Sequence, residues 1–254
     1  YSVSLSSDGN VLAVGAYDED GSGASTNVVQ DDDAFGTGAV YVFERGPETW
    51  EQTAYLKASN AERGDSLGVT VDLSADAGTL VATALDEDGM TTGVDSTAVD
   101  DQSSDSSTGA VYVFVREDEG WRQQAYLKSS NTGRNDWFGS RFDLSGDGNT
   151  LLAGAQLEDS GGQGVDAQQD DDSAQESGAA YLFTRDGDRW AQRVFIKSSN
   201  SEAFDEFGSA VALSRDGRTL AVGARNEDSA ATGIDGQQAD NSAFDSGAVY
   251  LLEW

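Results

Sequence analysis

Apolar residues along this chain fall into short runs rich in Val, Leu, Tyr and Phe, separated by Gly, Asp, Asn and Ser. The runs recur in a fixed order. SVSLSSDG, TVDLSADAG, FDLSGDG and VALSRDG place Leu5, Leu73, Leu144 and Leu213 in register, at spacings of 68, 71 and 69 residues. Each is followed by a second run (VLAVGA, TLVATA, TLLAGA, TLAVGA), a long acidic stretch and a third run (GAVYVFER, GAVYVFVR, GAAYLFTR, GAVYLLEW). A fourth run, WEQTAYLKASN, WRQQAYLKSSN or WAQRVFIKSSN, closes the first three copies and is absent from the last, where the chain stops at Trp254. Short runs of β-branched and aromatic residues bounded by turn formers predict β-strands. No stretch has apolar residues at i, i+3, i+4 and i+7 over the length of a helix.

The turns between the first and second runs carry Gly9, Gly148 and Gly217, each suited to a tight hairpin. In the third run both alternating faces are apolar, Ala39, Tyr41 and Phe43 on one side and Val40 and Val42 on the other. Such a strand is covered on both faces. The fourth run is more polar, with Gln52, Thr53 and Lys57, as suits a sheet edge. Four strands per repeat, inner ones sandwiched and the outer one mixed, predict an all-β, propeller-like fold in which blades stack face to face. The repeats run 1–68, 69–139, 140–208 and 209–254 and form one domain; a β-sandwich or an open stack of sheets is the alternative.

Composition narrows the function. Among 254 residues there are 46 acidic and 15 basic side chains, no His and no Cys. A Ser-His-Asp triad, a thiol nucleophile, the usual zinc site and a disulfide framework are therefore all excluded. A formal charge of -31 argues against nucleic acid, whose phosphates need Lys and Arg to displace their counterions. No apolar run is long enough to span a bilayer as a helix, so membrane insertion is not expected. Asp outnumbers Glu by 32 to 14 and Arg outnumbers Lys by 12 to 3, a balance that fits a surface hydrated in concentrated salt.

Two short elements identify a resemblance. Phe138-Gly139 and Phe207-Gly208 precede the first strand of their repeats, with Leu67-Gly68 a weakened copy. Gly15-Ala16-Tyr17, Gly154-Ala155-Gln156 and Gly223-Ala224-Arg225 end the second strands, with Thr83-Ala84-Leu85 degenerate. Together they resemble the FG-GAP repeats of integrin alpha-subunit β-propellers and their secreted bacterial and algal relatives, over essentially the whole chain. That resemblance implies a non-enzymatic extracellular role in adhesion or assembly, frequently with bound calcium, in propellers that usually have seven blades. Four repeats fit a smaller closed ring, a part of a longer propeller, or a subunit completed by neighbours. The calcium loops of integrins read D-x-D-x-D-G-x-x-D between the first two strands, whereas the turns at Asp8, Asp76, Asp147 and Asp216 are short and carry too few carboxylates.

The acids gather instead between the second and third strands, in 17–37, 85–108, 156–177 and 225–246, which hold 25 of the 46. There Glu-Asp is followed by Asp or Asn seven residues after that Asp, and by Asp five further on. The sets are Glu19, Asp20, Asn27, Asp32; Glu87, Asp88, Asp95, Asp100; Glu158, Asp159, Asp166, Asp171; and Glu227, Asp228, Asp235, Asp240. Oxygen ligands on long loops suit Ca²⁺. The candidate calcium ligands are thus Asp20, Asp32, Asp88, Asp95, Asp100, Asp159, Asp166, Asp171, Asp228, Asp235 and Asp240, against the alternative that these side chains cap their own backbone amides.

The three lysines, Lys57, Lys128 and Lys197, share one register position in the fourth strand, which predicts an ion pair or stem packing between blades. Trp50, Trp121 and Trp190 open the same strands and are expected to pack between blades, stacking on sugars being the alternative. The leading function is a secreted or surface-displayed binding or structural module that meets a protein or glycan at the cell surface. The last repeat has an unpaired strand edge at 247–253, open to self-assembly by β-augmentation. The rival is a carbohydrate-active propeller enzyme working with two carboxylates.

Overall fold

The computed structural model describes residues 1–24, 31–95 and 106–254. It holds fifteen strands in four antiparallel sheets among the described residues. The first sheet is β1 (Ser2–Leu5), β2 (Val11–Ala16), β3 (Ala39–Arg45) and β4 (Trp50–Leu56); the second is β5 (Leu67–Leu73), β6 (Thr79–Ala84), β7 (Ala110–Glu117) and β8 (Gly120–Leu127). The third is β9 (Arg141–Leu144), β10 (Thr150–Ala155), β11 (Ala179–Asp186) and β12 (Arg189–Ile196). The fourth has only β13 (Phe207–Leu213), β14 (Thr219–Ala224) and β15 (Ala248–Glu253). Strands pair in sequence order within every sheet, so each sheet is an up-and-down blade. No helix among the described residues is long and apolar enough to cross a membrane.

The hairpins joining the inner strands follow from the S-x-D-G pattern. Ser6 Oγ donates to Asp8 Oδ1 and accepts the Val11 amide, while Asp8 Oδ1 accepts the Asn10 amide, so two side chains hold the turn and Gly9 takes φ 69°. The turns of the third and fourth blades repeat this network. The four turns also meet one another. Ser7 N donates to Ala75 O, Ala75 N to Gly146 O and Gly146 N to Arg215 O, and Arg215 Nη2 returns to Ser7 Oγ at 2.8 Å.

Blades stack through their flat faces. Val11, Ala13, Val40 and Val42 of the first pack on Leu73, Leu80, Ala82, Tyr112 and Phe114 of the second, and the same faces meet at the next two junctions. The stack is not closed. Val3 and Leu5 lie 67% and 56% exposed on one open face, Val249 and Leu251 70% and 73% exposed on the other. Burial of the third strand on both faces therefore holds for β7 and β11, whose first five residues are all buried. It fails for β3 and β15, which have a neighbouring blade on one side only. The tryptophans follow the same logic, Trp121 and Trp190 being buried and Trp50 41% exposed.

The FG and GAP elements meet across the junctions. A Cβ on Gly15 would sit 2.0 Å from the Gly68 carbonyl oxygen, and one on Gly154 would sit 2.2 Å from that of Gly208. Backbone touches backbone there. At the second junction Thr83 stands in the GAP position and its hydroxyl donates to Gly139 O at 2.7 Å. The Phe of the element is fully buried, Phe138 packing edge-on against Tyr181 and Phe207 against Tyr250.

Candidate functional site

The conserved geometry of the blades, one copy to the next, centres on a buried lysine. Lys128 Nζ, at the end of β8, donates to Glu87 Oε2 at 2.8 Å, Thr108 Oγ1 at 2.6 Å and Gly109 O at 2.7 Å. Lys197 does the same with Glu158 and Ser177, each at 2.7 Å, and Lys57 with Glu19 at 2.9 Å and with Thr37. All three lysine side chains are wholly buried. Burial lowers the pKa of Lys128 and Lys197, while the partner glutamate opposes that shift. The lysine therefore ties the outer strand to the start of the acidic loop.

The loop returns the contact from its other side. Asp95 N donates to Tyr126 O and Asp95 Oδ1 accepts the Tyr126 amide; Lys128 N donates to Gly93 O and Gly93 N to Ser129 O. Asp166, Gly164, Phe195, Lys197 and Ser198 repeat all four bonds in the third blade. The ends of β8 and β12 are thus gripped between the third strand and the loop segment Gly-Val-Asp. Asp95 and Asp166 take φ 51°, a left-handed conformation that Asp tolerates better than most residues.

Neighbouring blades are joined through the Asn that follows the lysine. Asn131 Nδ2 donates to Glu158 Oε1 of the next blade at 2.7 Å, and its Oδ1 accepts from Tyr181 at 2.7 Å; Asn200 repeats the pair with Glu227 and Tyr250. Tyr112 donates to Asn60 in the same way. In the second and third blades one glutamate, Glu87 or Glu158, so binds its own lysine and the preceding blade's Asn. The role of these Asn residues is not legible within one repeat, because the contact crosses a blade junction.

A second acid recurs at each junction. Asp65, Asp136 and Asp205 are buried just before the first strand, each accepting one backbone amide, from Glu62, Gly133 and Glu202. Burial, with the nearby loop carboxylates adding to it, pushes their pKa up to about 8, about 7 and about 6.

The candidate calcium ligands serve the loop backbone. Asp20, Asp159 and Asp228 accept the amides of Gly36, Glu176 and Asp245, which closes each loop on itself. Asp171 accepts from Gly161 N and Ser173 Oγ, and Asp240 from Ser242 N. In the first loop that place belongs to Asp31, which accepts from Ser22 N and Oγ, and Asp32 lies one residue beyond it. The first loop is one residue shorter than the third and fourth, which shifts the equivalent place within the run Asp31-Asp32-Asp33. Asp95 and Asp166 are the strand grips just described, and Asp235 has their backbone conformation at φ 55°. Asp88 also has an interaction partner. Asp100 and Asn27 lie outside the described residues. Among the described residues no three acidic side chains converge to hold a metal ion.

Comparison with known proteins agrees with this geometry. No curated protein matches the chain in sequence. A solved structure, that of a putative 6-phosphogluconolactonase from Bacteroides uniformis ATCC 8492, superposes with a TM-score of 0.52 at 11% identity, over 99% of this chain and 57% of that one. That likeness bears on the fold alone, and this chain spans little more than half of that protein's length. The FG-GAP repeat family matches residues 121–183 and 190–252. Each match runs from the outer strand of one blade through the third strand of the next, so the family unit contains a blade junction. Over these residues the chain matches the FG-GAP repeat.

Proposed function

We propose that the chain is a non-enzymatic extracellular binding or structural module, serving adhesion or assembly at a surface through a protein or glycan partner. The observation that carries this reading is the FG-GAP repeat itself, present at 121–183 and 190–252 in a propeller-like stack. Its geometry supports the reading. Every blade presents a long acidic loop at the same end, backed by a buried Lys–Glu pair in three of them, which is the arrangement of a rigid scaffold with exposed loops.

A glycosidase needs one carboxylic acid held protonated beside an ionised carboxylate. Asp65, near Glu87 and Asp88, has the first property. The same acid recurs at Asp136 and Asp205 with the same backbone bond, so it belongs to the junction and not to one reaction centre. An active site should also break the repeat, and its nearest candidate, Trp137 with Arg134 and Arg141, does not do so in backbone form, since Trp137 takes the left-handed place that Ser66 and Glu206 fill at the other junctions.

The test is binding of fluorescently labelled chain to intact cells and to arrayed glycans, run beside a turnover screen on aryl glycosides and sugar lactones. Saturable binding without turnover is expected. Turnover abolished by replacing a single carboxylate overturns the reading.

A further inference from the structure

A cavity of about 370 Å³ opens where the second and third blades meet the third acidic loop. Gln168, Gln169 and Asp170 of the loop wall one side, and Gln192, Arg193 and Phe195 of β12 wall the other. The strand reaches it through a kink. Val194 pairs with Leu182 but Gln192 pairs with Phe183, so Arg193 is the extra residue of a β-bulge. A bulge bends its strand and re-aims the side chains on it, and here two residues adjacent in sequence, Gln192 and Arg193, line one cavity.

The walls are tied together in advance. Ser130, which follows β8, donates from its amide to Gln192 Oε1 at 3.0 Å, and Gln192 Nε2 donates back to Ser130 Oγ at 2.7 Å. That hydroxyl in turn donates to Gln169 Oε1 at 2.7 Å, and Asn131 Nδ2 donates to Gln169 O. Two blades and the loop are thus fixed before anything enters, which lowers the ordering cost of binding.

The groups left over are polar and planar. Gln168 and Asp170 are exposed, and their side chains make no hydrogen bond among the described residues. Arg193 uses Nε on Thr184 Oγ1 at 2.7 Å and leaves both Nη groups, while Gln169 keeps its Nε2. An amide, a carboxylate and a guanidinium each present two hydrogen-bonding atoms in one plane, and so match a pair of neighbouring hydroxyls. Phe195 is only 3% exposed, so the cavity offers no broad apolar wall. Arg193 stands beside Asp166 and Asp170 in a chain of formal charge -31, which disfavours an anion.

We infer that this cavity is a binding site for an uncharged sugar residue of a glycan, its hydroxyls held by Gln168, Asp170 and Arg193. The assignment rests on the binding-module reading and narrows the partner to a neutral glycan. A cavity of this size with a few fixed polar groups accommodates one sugar ring.

The probes are maltotriose, cellotriose, mannotriose and triacetylchitotriose, with trigalacturonic acid as the anionic counterpart, each titrated into the intact chain by calorimetry. Saturable one-to-one binding of a neutral probe is expected, and none of the anion. Gln168→Ala and Arg193→Ala should each weaken it about tenfold, as the loss of one good hydrogen bond does. Arg189→Ala, on the same strand but outside the cavity, should leave it unchanged. Melting temperatures equal to the parent's separate a lost site from a lost fold. Absence of binding by every neutral probe, binding of the anion alone, or indifference to both Gln168→Ala and Arg193→Ala overturns the proposal. The same variants on intact cells and arrayed glycans tell the two readings apart. Parental binding that survives both substitutions keeps the module and discards this site, whereas no binding by the parent discards both.

Discussion

The third and fourth blades share strand order, hairpin network and loop closure, and differ in one strand. In the third, Lys197 neutralises Glu158 and Asp166 grips the amide of Phe195. In the fourth, the corresponding Glu227 and Asp235 hold the same positions with neither partner. The loop therefore does not take its shape from the outer strand. Asp228 closing on Asp245 N, and Ser246 on Glu227 O, suffice to build it.

That contrast is open to direct attack. The largest effect belongs to the buried pair: Lys128→Ala leaves Glu87 buried without its counterion and should cost about 3–5 kcal/mol in urea unfolding. Glu227→Gln removes a buried charge that has no lysine and should be neutral or stabilising. Equal losses at both would mean that the lysine pair does not distinguish the blades.

A smaller difference is expected at the glycines. Gly154→Ala forces a Cβ against the Gly208 carbonyl and should cost about 1–3 kcal/mol by overpacking. Gly223→Ala faces the open side, where nothing lies closer than 3.4 Å, and should be nearly neutral by thermal unfolding.

Next comes a pH effect at the junctions. Asp65, Asp136 and Asp205 have pKa values raised in the folded chain above the ordinary 3.8, so the folded state holds more protons than the unfolded one in between. Their contribution is full below pH 3.8 and is lost as pH rises through about 6, 7 and 8 in turn. The melting temperature should thus rise on acidification from pH 8 to 5, and Asp65→Asn should flatten the upper part of that curve more than Asp205→Asn does. A rise unchanged by both variants would assign it to the general charge of -31.

The smallest expected difference is between Ca²⁺ and Mg²⁺. With loop carboxylates engaged by amides, melting at fixed ionic strength should respond to both ions alike. A stabilisation specific to Ca²⁺ would show that the loops rearrange around it.

Much of the architecture was legible because strands, turns and repeats are local signals. Leu5, Leu73, Leu144 and Leu213 mark the same place in every blade, and the three lysines lie in the ion pairs that their shared register implied. What escaped the sequence depends on contacts between blades or on loop length. Asn131 binding Glu158, and the burial of Asp136, need two blades together before they exist. The exposure of β3 and β15 reflects which blades have neighbours, not which residues they contain. Asp31 in place of Asp32 turns on one missing residue in a loop.

The glycine contact between FG and GAP also sets a curvature. Sheets that nearly touch near their inner strands, while bulky side chains separate them farther out, are wedges, and the thinner the inner end the steeper the angle between them. At the second junction the Thr83 side chain fills that gap. Enlarging Gly15 or Gly154 is therefore expected to push neighbouring sheets apart at this end and change the pitch of the stack.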